Sequence, residues 1–220
     1  MIYAIHGKGG PGSGNAKWAS YYQDAPAIAN SWRMGGDIEG PMRPSFAGIL
    51  RLIDSEVADK TTGISGPNSW NDCDMMVVGQ GLSATEDRAH VSMWAMLASP
   101  MIVGYDLRNT SAATIAALTH PSIVKISQDP LGKQATLVPP ASTAATTQVW
   151  RRPLAGGGVA VALLNRGDAA AKISFTLAEV GWASSSAKVS DVWSGGEVTA
   201  AEKYGLTVGA HAAEVLILSE

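Results

Sequence analysis

Residues 72–107, "DCDMMVVGQGLSATEDRAHVSMWAMLASPMIVGYDL", decide how this chain folds. They open on an apolar, strand-forming run at 72–79 and close on another at 100–107. Between them Ser83-Ala84-Thr85-Glu86 forms a capping box, in which Ser83 and Glu86 each satisfy an exposed amide of the other. The box opens a helix through "EDRAHVSMWAMLAS". Strand, capped helix, strand is the unit of an α/β fold.

Outward from this unit the alternation continues. On the N-terminal side "MIYAI" (1–5) and "AIANSW" (27–32) are short apolar strand signals. Phe46, Ile49, Leu50, Ile53 and Val57 recur at helical spacing. On the C-terminal side Ser111 can cap the helix "AATIAALT", and the short helix "PSIVKIS" follows. Four consecutive βα units imply a parallel sheet with covered faces. In such architectures ligands bind at the carboxyl ends of the strands. His6, Arg33, Asp37, Asp72, Asp74, Asp106 and Arg108 all fall in or just after predicted strands.

The texture changes after about Gln134. "VPPASTAATT" reads as a linker, and short strands split by Gly and Ala-Ser turns follow: "TQVWRRP", "GVAVALLN", "KISFTL", "AKVSDVW", "GLTV" and "AEVLIL". Val159, Val161 and Leu163 alternate, as do Ile173, Phe175 and Leu177. Regular short strands without helices indicate an antiparallel β-sandwich. The expected division is an α/β part over 1–133 and a sandwich over 134–220.

Composition narrows the partners. The 220 residues include 46% hydrophobic ones and carry a net charge of -3, which suits a packed core. No Lys/Arg run supports nucleic acid or an anionic membrane, and no apolar run reaches the roughly 18 residues of a spanning helix. "MIYAIHGKGG" lacks the basic start and apolar length of a signal peptide. Cys73 is the single cysteine, which excludes an internal disulfide and gives slight support to a reducing compartment. Asn109-Thr110-Ser111 is a glycosylation sequon of a kind common by chance. With no metal-ligand spacing and no phosphate loop, no cofactor is expected.

The chemistry lies in "NSWRMGGD" (30–37). A carboxylic acid beside a sugar can protonate a leaving oxygen while a second carboxylate attacks or activates water. Asp37 follows Gly35-Gly36, where the backbone can approach a ligand closely. Arg33 can fix a hydroxyl or hold a nearby carboxylate ionised, and Trp32 and Trp70 can wall a pocket. Read singly, these residues are blander: Asp37 a solvated turn, Arg33 a surface ion pair, Asp72 and Asp74 turn or cap residues. Trp94 reads as core, His90 as structural, Cys73 as a small filler, Met76 as packing, and Asp106–Arg108 as a structural pair.

"SWRMGGD", "GPNSWNDCDMMVVG", "SMWAMLASPMIVGYDLR" and "ISQDPLGKQ", in this order and spacing, resemble the second half of family-27 glycoside hydrolases, the α-galactosidase and α-N-acetylgalactosaminidase group. "VWRRPLAGGGVAVALLNRG" resembles the start of that family's C-terminal β-sandwich. The resemblance implies the second half of a (β/α)8 barrel followed by a sandwich, and a retaining mechanism on two Asp residues. It assigns Asp37 the acid/base role and makes Arg33 an active-site arginine. Asp74 and Met75 would line the sugar pocket, with Trp70 and Asp72 in support. Cys73 stands where the family usually has Pro. His6 stands near the position of a Glu that reads the 2-hydroxyl in the family's galactosidases, so related α-linked sugars such as pentopyranosides remain open beside galactose. His6 can bond a hydroxyl but changes charge near neutral pH.

The family's nucleophile lies in a Lys-Tyr-Asp-like motif one strand upstream, and no such motif occurs here. By strand count the chain enters at about the fifth strand of a barrel that takes roughly 250 residues. The expectation is an incomplete chain, inactive alone, that acts on α-linked galactosides or related carbohydrates when completed by the missing barrel half or by a second copy. The alternative is a non-catalytic sugar-binding or scaffold remnant of the same fold. Compartment is not readable, although full-length relatives are commonly secreted or lysosomal.

Overall fold

The computed structural model describes residues 4–5, 24–38, 44–58, 65–139 and 145–220. His6, the loop after it and residues 140–144 of the predicted linker lie outside them, as does the side chain of Val57.

The N-terminal part is a piece of parallel barrel. Strands β1 (Ala4–Ile5), β2 (Ser31–Arg33) and β3 (Trp70–Asp72) lie side by side in that order, with Ile5 opposite Trp32 and Arg33 opposite Asp72. A single parallel bridge, Met76 to Val103, extends the series. Three expectations need correction here. Residues 27 and 28 belong to a helical stretch, α1 (24–28), and the strand starts only at Ser31. The third strand is Trp70–Asp72 and not 72–79. Asp74 takes a left-handed backbone, φ +85°, which breaks the extended run and leaves Met76 alone to pair. The run 100–107 keeps one ladder contact, Met76 N–H to Ile102 O and Gly104 N–H to Met76 O, before a 3-10 turn at Leu107–Asn109.

The helices fall where the sequence periodicity puts them. In α2 (Phe46–Ala58) Phe46, Ile49 and Ile53 are buried, as their spacing requires. Helix α3 (Ala84–Met96) starts on the predicted box: Ser83 Oγ accepts from Glu86 N at 3.3 Å, and Glu86 Oε2 accepts from Ser83 N at 2.8 Å. Nine of its residues are buried, Trp94 and His90 completely, because it runs between the barrel piece and the β-sheets. Helices α4 (Ala112–Leu118), capped by Ser111, and α5 (Pro121–Ser127) follow. Among the described residues no helix is long and apolar enough to cross a membrane.

The C-terminal part is two antiparallel layers. One sheet runs β4 (Thr136–Leu137), β5 (Thr147–Pro153), β6 (Val159–Asn165), β11 (Ala213–Ser219), β8 (Ser186–Asp191) and β9 (Glu197–Ala201) in spatial order. The other pairs β7 (Ala171–Thr176) with β10 (Lys203–Val208). β4 and β9 were not foreseen: β4 is two residues long, and β9 is largely exposed and lacks an apolar period. Every residue of β6 is buried. Val159, Val161 and Leu163 face β7 across the sandwich core, while Ala160, Ala162 and Leu164 join the core around α3.

Candidate active site

The site is built at the carboxyl end of β2. Successive residues of a strand face opposite sides, so Arg33 and Trp32 diverge. Trp32 is fully buried. The expectation that it walls a sugar pocket is therefore corrected, because neither ring face is open to a ligand. Arg33 points to the other side and collects three acceptors through Nη2: Asp74 Oδ2 at 2.7 Å, Gly36 O at 2.9 Å and Asp37 Oδ1 at 3.3 Å.

The two carboxylates on this guanidinium differ. The Asp74 side chain is 5% exposed, and the Asp37 side chain is 75% exposed. An exposed ion pair is worth roughly 0–1 kcal/mol, too little to hold a long side chain in one place. Asp74, desolvated and close, therefore sets the position of Arg33, and Asp37 meets an arginine already placed. Asp74 Oδ2 also accepts from Ile38 N at 2.6 Å, and Oδ1 from Met75 N at 2.7 Å. Asp72 supports from beneath: its Oδ1 accepts from Asp74 N at 2.8 Å, and its carbonyl from Met34 N at 3.0 Å. Trp70, half-buried, continues the parallel ladder through its N–H to Asn30 O.

Gly35-Gly36 bends the chain between Arg33 and Asp37, and the reason for glycine is packing. A Cβ on Gly35 would lie 2.8 Å from Leu52 Cδ2 of α2, whereas one on Gly36 would meet only the tip of Arg51, at 3.2 Å. Arg51 is the residue the sequence did not reveal: from α2 its Nη2 donates to Asp37 O at 2.8 Å. Its signal was faint, one basic residue in an otherwise ordinary helix. Met75 is 43% exposed and lies over Gly104, where a Cβ would fall 1.8 Å from its sulfur. Met76 is fully buried.

The remaining candidates settle into structure. Trp94 is core, and its Nε1 donates to Asp74 O at 2.8 Å, so it reaches the site from below. Cys73 is buried, with its backbone N–H on Ser99 Oγ. Asp106 and Arg108 pair with each other at the surface, through Arg108 Nε at 2.9 Å to both carboxylate oxygens. That pairing holds the Asp106 carboxyl below the usual carboxylate range. His6 cannot be placed, since it lies outside the described residues.

An exposed carboxyl on a fixed loop, beside a fixed cation, is suited to giving and taking a proton at a bound oxygen. Comparison with known proteins agrees with the resemblance. The family described as "Alpha galactosidase A" matches residues 12–129, and that described as "Alpha galactosidase C-terminal beta sandwich domain" matches residues 144–218. α-Galactosidase A of Cellvibrio japonicus is 35% identical over 213 residues, covering 89% of this chain and 52% of the relative. Human α-galactosidase A is 34% identical over 160 residues, covering 71% of this chain and 36% of the relative. The crystal structure of α-galactosidase I from Mortierella vinacea superposes with a TM-score of 0.84 at 27% identity, covering all of this chain and 58% of that one. A Saccharomyces cerevisiae α-galactosidase with raffinose gives 0.75 at 25% identity, covering 87% of this chain and 60% of that one. The chain thus spans about half the length of these curated relatives, or less. With both family regions matched in order over a partial barrel and a sandwich, this chain belongs to the family-27 α-galactosidase family, to whose C-terminal part it corresponds.

Proposed function

We propose that this chain carries the acid/base side of a retaining glycosidase site for terminal α-galactosides or related α-linked sugars, and that the nucleophile comes from a segment outside these 220 residues. The observation that supports it is the placement of Asp37: a largely exposed carboxyl whose backbone is held by Arg51 and whose neighbour Arg33 is fixed by Asp74. In the reaction, a second carboxylate roughly 5–5.5 Å away attacks the anomeric carbon while Asp37 protonates the departing glycosidic oxygen. Asp37 then takes the proton of the incoming water as the glycosyl-enzyme bond breaks, and the anomeric configuration is retained. Arg33 and Met75 would border the sugar. Residues 1–133 would form the catalytic part and 134–220 the sandwich.

The test is hydrolysis of 4-nitrophenyl α-D-galactopyranoside by the purified chain, with and without a polypeptide carrying the first half of the Cellvibrio japonicus relative. The expected outcome is no turnover alone, turnover in the mixture, and loss of that turnover in Asp37→Asn. Turnover by the chain alone, or turnover that survives Asp37→Asn, would overturn the assignment. Saturable galactose binding with no turnover in any mixture would favour the non-catalytic sugar-binding reading.

A further inference from the structure

We propose that Asp74 is a positioning residue for Asp37 and not a ligand of the sugar, an inference that rests on the acid/base reading of Asp37. A sugar hydroxyl needs a carboxylate oxygen that it can reach. The Asp74 side chain is 5% exposed, and both of its oxygens already accept hydrogen bonds from this chain. Oδ2 takes Arg33 Nη2 and Ile38 N, and Oδ1 takes Met75 N.

Ile38 N belongs to the peptide unit that joins it to Asp37, so the 2.6 Å bond to Asp74 fixes the C-terminal side of the acid/base residue. Arg33 bonds Gly36 O and Asp37 Oδ1, so the 2.7 Å pair with Asp74 fixes what Asp37 meets on its other side. Asp74 itself cannot drift. Its N–H is held by Asp72 Oδ1 and its carbonyl by Trp94 Nε1 of α3, and its left-handed backbone turns the carboxylate towards the loop. The chain of contact runs from α3 through Asp74 to both flanks of Asp37.

Two substitutions separate the roles. Asp74→Gly removes the carboxylate and accepts φ +85° without strain. Asp74→Asn keeps one acceptor oxygen and tolerates the same backbone. In the 220-residue chain, with no activity required, exchange of the Ile38 amide hydrogen followed by NMR is expected to quicken by at least about tenfold in Asp74→Gly and by less than about threefold in Asp74→Asn. In the mixture with the upstream half, Asp74→Gly is expected to lower kcat for 4-nitrophenyl α-D-galactopyranoside by about a hundredfold with KM within about twofold, and Asp74→Asn to restore most of the loss. Unchanged Ile38 exchange in Asp74→Gly overturns the proposal. So does a loss that falls on KM in both variants, which would make Asp74 a sugar ligand. If the unsubstituted mixture shows no turnover, the functional reading fails, and the exchange result by itself decides whether Asp74 holds the loop.

Discussion

His90 shows how strongly a single buried residue can tie stability to pH. It is fully buried on α3, edge-on to Trp94 at 4.2 Å, and neither ring nitrogen has a hydrogen-bond partner among the described residues. Burial alone pushes its pKa down to about 3. The folded state thus holds His90 neutral while the unfolded chain protonates it near 6.5, so its contribution is complete above pH 6.5 and is lost as pH falls towards 3. His90→Phe should remove up to about 1.4 kcal/mol per pH unit from the acid-side slope in urea denaturation between pH 6 and 4. At pH 7 it should leave stability equal or raised by about 1 kcal/mol, since two unpaired polar atoms are withdrawn from the core. Gly35 gives a second test at this scale. Gly35→Ala forces Leu52 aside and should cost about 1–3 kcal/mol, whereas Gly36→Ala meets only a movable arginine tip and should cost less than half as much, both read from denaturation midpoints. The reverse order would mean that backbone conformation, and not packing, selects glycine here.

At the scale of the element, α3 is the beam to which both layers attach. Its N-terminus is closed by the Ser83–Glu86 box, and its C-terminus lacks a basic residue in the last turn. The cation is supplied from the other layer: Arg152 of β5, fully buried, donates through Nη1 to Ala95 O. Burial lowers the Arg152 pKa to about 10, against the opposing pull of Asp129, and the side chain stays charged at neutral pH. Ser83→Ala should destabilise the chain by about 1 kcal/mol, the usual loss of an N-cap, with the secondary structure seen by circular dichroism unchanged. Glu86 serves twice, since its Oε1 also meets His211 Nδ1 at 2.9 Å from the turn before β11. Glu86→Gln should therefore keep most of the cap while weakening the His211 contact, a smaller thermal loss at pH 8 than at pH 6.

Across the whole molecule the barrel piece and the sandwich share one core. Trp150, Ala160, Ala162, Leu164 and Val215 from the sheet lie in the same apolar cluster as Ile49, Ile53, Trp94 and Met96 from the helices. Polar ties cross the same boundary: Arg166 to Asp54 at 2.6 and 2.7 Å, Trp193 Nε1 to Ser92 Oγ at 3.0 Å, and His211 between Glu86 and Asp168. A shared core predicts one cooperative calorimetric transition for the chain. Residues 145–220 expressed alone should bind an apolar dye such as ANS through the uncovered face of β6, and two separate transitions would refute the coupling. His211 adds a pH term of opposite sign to that of His90. Burial lowers its pKa, but hydrogen bonds to Glu86 and Asp168 and their charges outweigh this and raise it. Its contribution is complete below the unfolded value of 6.5 and is lost as pH rises through the higher folded value. His211→Asn, which tolerates the residue's φ of +55°, should flatten the decline in melting temperature between pH 6.5 and 8.

Local signals carried much of this protein. The capping box at Ser83, the helical spacing of Phe46, Ile49 and Ile53, and the alternation of Val159, Val161 and Leu163 each reflect contacts a few residues apart, which a linear pattern records directly. The order of four motif blocks was enough to identify the family, and it pointed to Arg33, Asp37 and Asp74 as parts of one site. The linear pattern misassigned what depends on two faces at once. The alternation in β6 marked only the face of Val159, Val161 and Leu163, although α3 covers the other face too, and Trp32 read as a pocket wall although strand pleating turns it away from Arg33. The resemblance gave Asp37 the acid/base role and Asp74 a place in the pocket, but the burial of neither is written in the sequence. Asp37 and Asp74 are the same residue type near the same arginine, and only folding decides that one side chain is 5% exposed with both oxygens bonded while the other is 75% exposed. Burial and hydrogen-bond geometry are properties of residues 37 positions apart brought within one guanidinium, and those exist only in three dimensions.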